Sequence, residues 1–244
     1  MKKIQLSIQQ IFVFIIVGLM ALSMTSCIYR EEVEIISERE DFTLDLPAFS
    51  TVTLDFSAKV LIYRGDEQRI KINAQPEVFE AITKSVVDGE WLIDLANFTD
   101  GYQKVTIEIT LPTLTGLHTT SNGDIQVKDD FKDIALLNLS TSSNGDIAFK
   151  GSAQRVDLQI DSNGDIELSG AADLLNVHLD GSGDLSAYDL RTQTVDLISK
   201  GSGDAEIRVA KALNVVMSGS GDVTYKGQPT ITSDISGSGD LKKD

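Results

Sequence analysis

The chain has 244 residues, of which 21 are basic and 37 acidic, so its formal net charge at pH 7 is −16. Proteins that bind nucleic acid carry a basic surface, and an acidic excess of this size excludes nucleic acid as a partner. The same charge disfavours a protein that rests directly on an anionic lipid surface. The single cysteine has no partner for a disulfide within the chain, so stability has to come from burial and backbone hydrogen bonds.

The first 26 residues have the features of a bacterial lipoprotein signal peptide. Lys2 and Lys3 provide a positive start, and residues 11–22 form an uncharged apolar run that is too short to span a bilayer. The sequence LSMTSC at residues 22–27 resembles a lipobox. We therefore predict that residues 1–26 are removed and that Cys27 carries a lipid anchor that attaches the protein to a membrane. A soluble secreted protein that keeps this cysteine is the alternative.

Residues 27–41 are predicted to be the lipidated cysteine and a solvated tether. Glu31 and Glu32 lie shortly after Cys27, and acidic residues at this place resemble the surface-export signal of Bacteroidetes lipoproteins. We expect a lipid-anchored protein of the outer membrane that is exposed at the cell surface. The periplasmic face of that membrane is the alternative.

The most regular feature of the chain is a tetrapeptide that recurs seven times. Ser-Asn-Gly-Asp occurs three times and Gly-Ser-Gly-Asp then occurs four times, with successive aspartates 18 to 22 residues apart. Internal repeats of this length are typical of solenoid proteins. The repeated pairs are Gly123 and Asp124, Gly145 and Asp146, Gly164 and Asp165, Gly183 and Asp184, Gly203 and Asp204, Gly221 and Asp222, and Gly239 and Asp240.

Alignment of the repeats on their aspartates shows apolar or small residues at every second position on both sides of the turn, which is typical of strands with one buried face. The position nine residues before the aspartate, for example, holds Thr115, Leu137, Val156, Leu175, Val195, Leu213 and Ile231. Each repeat thus reads as a strand, a tight turn and a second strand. We predict an all-β fold, a right-handed single-stranded parallel β-helix (solenoid) with coils of about 18–22 residues. A meander of β-hairpins is the alternative.

The predicted β-helix domain covers residues 42–244, with seven Gly-Asp repeats in residues 113–244. Residues 42–112 lack the tetrapeptide but contain alternating segments, and we interpret them as less regular coils continuous with the repeats. A separate small β-domain is the alternative. Pro76 is a suitable first residue for a short helix over residues 76–84.

The repeat turns are predicted to be structural. A glycine that never varies among seven copies suggests a positive φ, which glycine adopts without steric cost. The change from Ser-Asn to Gly-Ser between Asp165 and Asp184 suggests two local turn geometries. We expect each aspartate to accept backbone N–H bonds within its own turn. A calcium-binding edge is the alternative, although each turn has one aspartate and Ca²⁺ needs six or more oxygens.

The sequence contains no constellation typical of catalysis. We therefore expect no catalytic residues, no bound metal and no cofactor, and we classify the chain as not an enzyme. His118 and His178 each precede a repeat aspartate by six residues, which places them on the outward face, three coils apart and solvated. Arg64, Gly65 and Asp66 are expected to form a plain turn between strands. A carbohydrate-active enzyme is the least favoured alternative.

The chain resembles the family of putative auto-transporter adhesins with a head GIN domain, which is common among Bacteroidetes lipoproteins. The resemblance runs from about Phe42 onward and includes residues 60–66 (VLIYRGD), residues 87–93 (VDGEWLI) and the repeated turns. It implies a right-handed β-helix and an adhesin-like role, and it supplies no catalytic residues.

These observations predict a cell-envelope lipoprotein with a β-helical binding or structural module. The expected ligand is an extracellular or envelope component, with a glycan as one candidate. A periplasm-facing envelope homeostasis protein is the alternative function. The last coil ends without a capping helix, so its strand edges are open to pairing, and association of copies through this coil is a further expectation. The alternative is that the lysines at that end prevent pairing of the open strand edges.

Overall fold

A computed structural model describes residues 37–96 and 101–244. Ser37–Asp244 form one compact unit. The predicted signal peptide and Cys27 lie outside the described residues. Within the described ranges, no helix has the length and apolar character needed to cross a bilayer.

The elements are almost all strands, and the strands form one continuous sheet. In chain order they are β1 (Glu40–Thr43), β2 (Thr51–Leu54), β3 (Ala58–Arg64), β4 (Arg69–Ala74), α1 (Pro76–Ala81), β5 (Val86–Val87), β6 (Glu90–Ile93), β7 (Val105–Leu111), β8 (Gly116–Thr119), β9 (Asp124–Val127), β10 (Phe131–Thr141), β11 (Ile147–Ile160), β12 (Ile166–Leu179), β13 (Leu185–Ser199), β14 (Ala205–Met217), β15 (Val223–Lys226), β16 (Thr230–Ile235) and β17 (Leu241–Lys243).

The repeats stack as parallel coils, which confirms the predicted solenoid and excludes the hairpin meander. Strands β10 to β14 pair in parallel, each with the next. Val156 lies opposite Leu175, Leu175 opposite Val195, and Val195 opposite Leu213, so equivalent repeat positions occupy one column. The right-handed winding stays a prediction.

The two strands that flank each repeat turn are present as predicted, but the second strand of one repeat continues into the first strand of the next as one long strand that bends. Strand β12, for example, spans 14 residues and bends near Gly170, whose φ is +116°. A Cβ at Gly170 would lie 1.8 Å from the carbonyl oxygen of Gly151 one coil below. The repeat pattern did not show this corner because a glycine is not present there in every coil.

The inward columns form a single core. Leu137, Leu175, Val195 and Leu213 are completely buried in the column described above. Two inward-facing threonines form hydrogen bonds with the turns from inside the solenoid. Thr119 Oγ1 donates to Gly123 O at 3.1 Å, and Thr141 Oγ1 donates to Gly145 O at 2.9 Å. Burial of these apolar rows is the main source of stability in a chain without disulfides.

The first coils do not stack in chain order. Strand β2 pairs in parallel with β6 on one side and with β8 on the other, and β3 likewise lies between β7 and β9. The coil of residues 51–64 is therefore enclosed by two coils that follow it in sequence. Residues 42–112 share the sheet and the core of the repeats, but their stacking order differs from a simple continuation of coils.

Antiparallel strands and the helix cover the coil of residues 90–111, which lies at one end of the stack. Strand β4 pairs antiparallel with β7, β5 with β6, and β1 with β4. Helix α1 begins at Pro76, as predicted, and ends at Ala81. The indole of Trp91 is completely buried and donates to Thr83 O at 2.9 Å, so this end of the solenoid is closed by packed side chains.

The opposite end lacks a comparable cover within the described residues. Strand β16 pairs with β14, and β17 pairs with β15. Ile231 and Ile235 occupy inward columns but are 38% and 42% exposed. The equivalent residues one coil below, Leu213 and Met217, are 0% exposed.

Candidate ligand-binding face

The repeat glycines form one edge of the solenoid, but the predicted reason for their presence is wrong. The positive-φ glycines in the described ranges are Gly89, Gly151, Gly170 and Gly227, and none of these belongs to the seven turns. The turns need glycine because successive turns stack with their backbones in contact. A Cβ at Gly183 would lie 2.1 Å from the carbonyl oxygen of Gly164, well inside contact distance.

The seven aspartates line the same edge, and six of their carboxylates act between coils and not within their own turns as predicted. Each Oδ1 from Asp124 to Asp222 accepts the backbone N–H of the aspartate in the next coil, at 2.7 to 3.4 Å. The bond from Asp204 N to Asp184 Oδ1, for example, measures 2.8 Å. These charge-assisted bonds offset the repulsion between stacked carboxylates.

The hydrogen bonds of the turns change where the sequence changes. In the second and third Ser-Asn-Gly-Asp turns the glycine amide donates to the coil below, as in Gly164 N to Ser143 O at 2.9 Å. In the later turns a serine amide donates as well or instead, as in Ser220 N to Gly201 O at 2.9 Å. The asparagines of the first three turns also form a ladder, with Asn163 Nδ2 donating to Asn144 Oδ1 at 3.0 Å.

The carboxylates of the acidic edge are spaced along the stacked coils. Among the described residues, no group of three or more His, Cys, Asp or Glu side chains converges on one point. One lysine reaches the edge, where Lys242 Nζ lies 2.7 Å from Asp222 Oδ2, and the hydrogen bond from this ammonium lowers the pKa of the Asp222 carboxyl.

A second surface, on the strands that precede the turns, is a shallow groove of about 560 Å³. It crosses five coils and is lined almost entirely by polar side chains that point outward. We call this surface the polar face, and it consists of His118, Asn138, Ser140, Arg155, Asp157, Gln159, Asn176, His178, Asp196 and Ile198, with backbone and side-chain atoms of Leu139 and Leu158 beneath.

Side chains of adjacent coils hold one another in place on the polar face. Asn176 Nδ2 donates to Asp157 Oδ1 at 2.7 Å, and Arg155 Nε donates to the same oxygen at 2.7 Å. Two coils further along, Asn214 Nδ2, just beyond the polar face, donates to Asp196 Oδ1 at 2.6 Å. Asparagine and aspartate alternate in this column, so no two carboxylates are adjacent and the side chains are oriented before any ligand binds.

The sequence contains a signal for this surface that the predictions from the repeat turns do not include. The position eight residues before each repeat aspartate holds Asn138, Asp157, Asn176, Asp196 and Asn214, and this regular alternation differs from a random polar surface. The repeat turns, in contrast, contain an invariant glycine and aspartate. Invariance here reflects the close approach of stacked backbones and says nothing about a ligand.

The surroundings of Asp157 on the polar face lower the pKa of its carboxyl. Burial raises the pKa of the Asp157 carboxyl. Hydrogen bonds from Arg155 and Asn176 and electrostatic interactions with Arg155 and His178 lower the pKa by more than burial raises it. The pKa of Asp157 therefore lies below its usual value. Asp157 is therefore ionised at neutral pH and is a hydrogen-bond acceptor, whereas a general acid must hold a proton there.

The two histidines of the groove are buried to different extents. As predicted, they lie three coils apart, since His118 is opposite Ser140, Ser140 opposite Gln159, and Gln159 opposite His178. The prediction that both are solvated is wrong for His118, which is half-buried and lies 2.7 Å from Ser140 Oγ through Nδ1. Burial lowers the pKa of His118, and the nearby Glu90 opposes this shift.

Arg64, Gly65 and Asp66 join β3 to the segment before β4, and this confirms a plain turn. Gly65 N donates to Leu111 O at 3.1 Å, and Arg64 N donates to the Asp129 carboxylate at 3.1 Å. The tripeptide therefore serves the local packing of the coils.

Comparison with solved structures shows the same fold in several proteins. A putative adhesin from Bacteroides fragilis NCTC 9343 superposes with a TM-score of 0.78 at 22% identity, covering 85% of this chain and 97% of that one. A putative lipid binding protein from Parabacteroides distasonis ATCC 8503 gives 0.69 at 19% identity, covering 85% and 97%. A putative adhesin from Parabacteroides merdae ATCC 43184 gives 0.66 at 16% identity, covering 85% and 96%.

No curated protein matches the chain in sequence. A family model does match, over residues 48–229, which is most of the chain and includes both the interleaved first coils and the first six repeat turns. Its description is that of a putative auto-transporter adhesin, head GIN domain. The resemblance inferred from the repeats is thereby confirmed, and the chain belongs to the head GIN domain family of putative auto-transporter adhesins.

Proposed function

We propose that the protein is a lipid-anchored binding module of the outer membrane that presents its polar face to a glycan at the cell surface. Family membership supports a role at the cell envelope. The observation that carries the binding proposal is the groove itself, in which amide, carboxylate and imidazole side chains and the Arg155 guanidinium line five successive coils, several of them held by hydrogen bonds to one another.

The chemistry of the polar face suits sugar hydroxyls. Each hydroxyl both donates and accepts hydrogen bonds, and the groove supplies acceptors at Asp157 and Asp196 together with donors at Asn138 and Arg155. Adjacent coils are about 4.8 Å apart, close to the length of one sugar unit in an extended chain. The net charge of −16 favours a neutral glycan over an acidic one.

Binding can be tested with the chain from residue 28 onward on a glycan array, followed by calorimetry with the best neutral oligosaccharide. Replacement of Gln159 and His178 by alanine removes two outward groups of the groove, and we expect affinity to fall about tenfold or more. The control is a double variant in which Glu206 and Thr224, which face outward beyond the turns, are replaced by alanine. This variant should bind the oligosaccharide with wild-type affinity. Equal affinity of both double variants, or no glycan bound at all, would contradict the proposal.

The anchor and its location need a separate experiment on intact cells. Cys27→Ser should move the protein from the membrane fraction to the soluble fraction, because a diacylglycerol anchor supplies most of the membrane affinity. Protease added to whole cells should remove the wild-type module. Protection from the protease in intact cells, with digestion after the outer membrane is opened, would favour the periplasm-facing alternative instead.

A further inference from the structure

The last coil differs from the rest of the solenoid in both exposure and charge. Its inward residues Ile231 and Ile235 are 38% and 42% exposed, whereas Leu213 and Met217 in the same columns are fully buried. All six residues of β16 are exposed, and in the described structure this strand pairs with β14 and has a free edge on its other side. Apolar side chains and a free strand edge therefore coincide.

Charge indicates what can cover this end. Residues 226–244 contain three lysines and three aspartates and are neutral in sum, although the whole chain carries −16. Two copies that met side by side would repel one another, and the neutral last coil is the surface through which they approach with least repulsion. Lys242 is held by Asp222 and Asp240, and Lys226 by Asp244, so these charges lie along the rim of the last coil.

The opposite end limits the assembly that can form. The coil of residues 90–111 at that end is covered by β4, β5 and helix α1, so the open last coil of one copy does not meet an equivalent open coil there. Contact between two identical open ends closes after two copies. We propose that the protein forms a two-fold symmetric dimer in which β16 pairs with β16 of a second copy and Ile231 and Ile235 become buried.

The dimer can be tested by light scattering coupled to size exclusion, over a hundredfold range of concentration, on the chain from residue 28 onward with Cys27 absent. We expect a reversible dimer. Joint replacement of Ile231 and Ile235 by lysine places charge in the contact, and the dissociation constant should rise about tenfold or more. The matched control is Val216→Lys, because Val216 is similarly exposed, at 46%, but faces outward one coil below.

A crosslink supplies a second readout that does not depend on the folding of the lysine variant. Ser233 lies in the middle of β16, so two-fold pairing brings it close to the same residue of the second copy. Ser233→Cys should give a disulfide-linked dimer under mild oxidation, whereas Ser186→Cys, on the side of the solenoid, should not. A monomer at every concentration, open-ended oligomers, or crosslinking through Ser186 alone would each overturn the proposal.

Discussion

At the scale of single residues, the turn glycines show how one sequence observation can have two physical explanations. An invariant glycine can be required by a positive φ or by lack of space for a Cβ. The sequence suggested the first explanation, and Gly183 illustrates the second, since the backbone of Gly164 lies directly beneath it. Spatial neighbours decide between the two, and a repeat pattern alone does not supply them.

Substitution of Gly183 tests this explanation. Gly183→Ala forces a Cβ to within 2.1 Å of a backbone oxygen, and we expect a loss of about 1–3 kcal/mol in unfolding free energy, measured with urea. Gly101→Ala is the control, because nothing lies within 4 Å of a Cβ there, and its effect should stay within about 0.5 kcal/mol. If both variants were equally stable, close stacking of the turns could not be the reason for the glycine.

The aspartate ladder makes a separate prediction. Asp184 accepts the amide of Asp204 at 2.8 Å, and the same oxygen is present in asparagine. Asp184→Asn should therefore keep the bond, remove repulsion and leave stability unchanged or higher, whereas Asp184→Ala should lose about 1 kcal/mol. Thermal melting of both variants gives the comparison. A loss for asparagine as large as that for alanine would mean that the charge, and not the acceptor, is what the turn needs.

At the scale of elements, the repeats and the first coils differ in how far sequence can predict them. Strands β10 to β14 follow from the alternation of apolar residues and from the constant spacing of the turns, because each coil stacks on the one before. Residues 51–64 show the same alternation, yet their coil is enclosed by later coils. Alternation indicates which face of a strand is buried, but it does not specify the neighbour of that strand.

Disulfide trapping can test the interleaved order. Leu61 lies opposite both Glu108 and Gln126, so a cysteine at 61 should crosslink with a cysteine at either of these positions when Cys27 is absent. A cysteine pair at 108 and 126 lies two coils apart, about 9.6 Å, which exceeds the reach of a disulfide. Efficient crosslinking of this last pair, as simple stacking in chain order would give, contradicts the interleaved arrangement.

At the scale of the whole molecule, stacking in register converts sequence columns into surfaces of different chemistry. The column of repeat aspartates becomes an acidic edge, and the alternating asparagines and aspartates become part of the polar face. Both columns can be read from the aligned repeats once a solenoid is assumed. The depth of the groove and the burial of His118 could not be predicted, because they depend on how neighbouring coils pack around each side chain.

The in-register stack on which both proposals depend can be measured directly with pairs of spin labels in one outward column. Gln126 lies in this column, and Ser186, Glu206 and Thr224 lie three, four and five coils further along it. Electron–electron distances from position 126 should increase by about 4.8 Å per coil, to about 14, 19 and 24 Å between backbones. Distances that failed to increase in equal steps would contradict stacking of the repeats in register, and with it both the polar face and the open last coil.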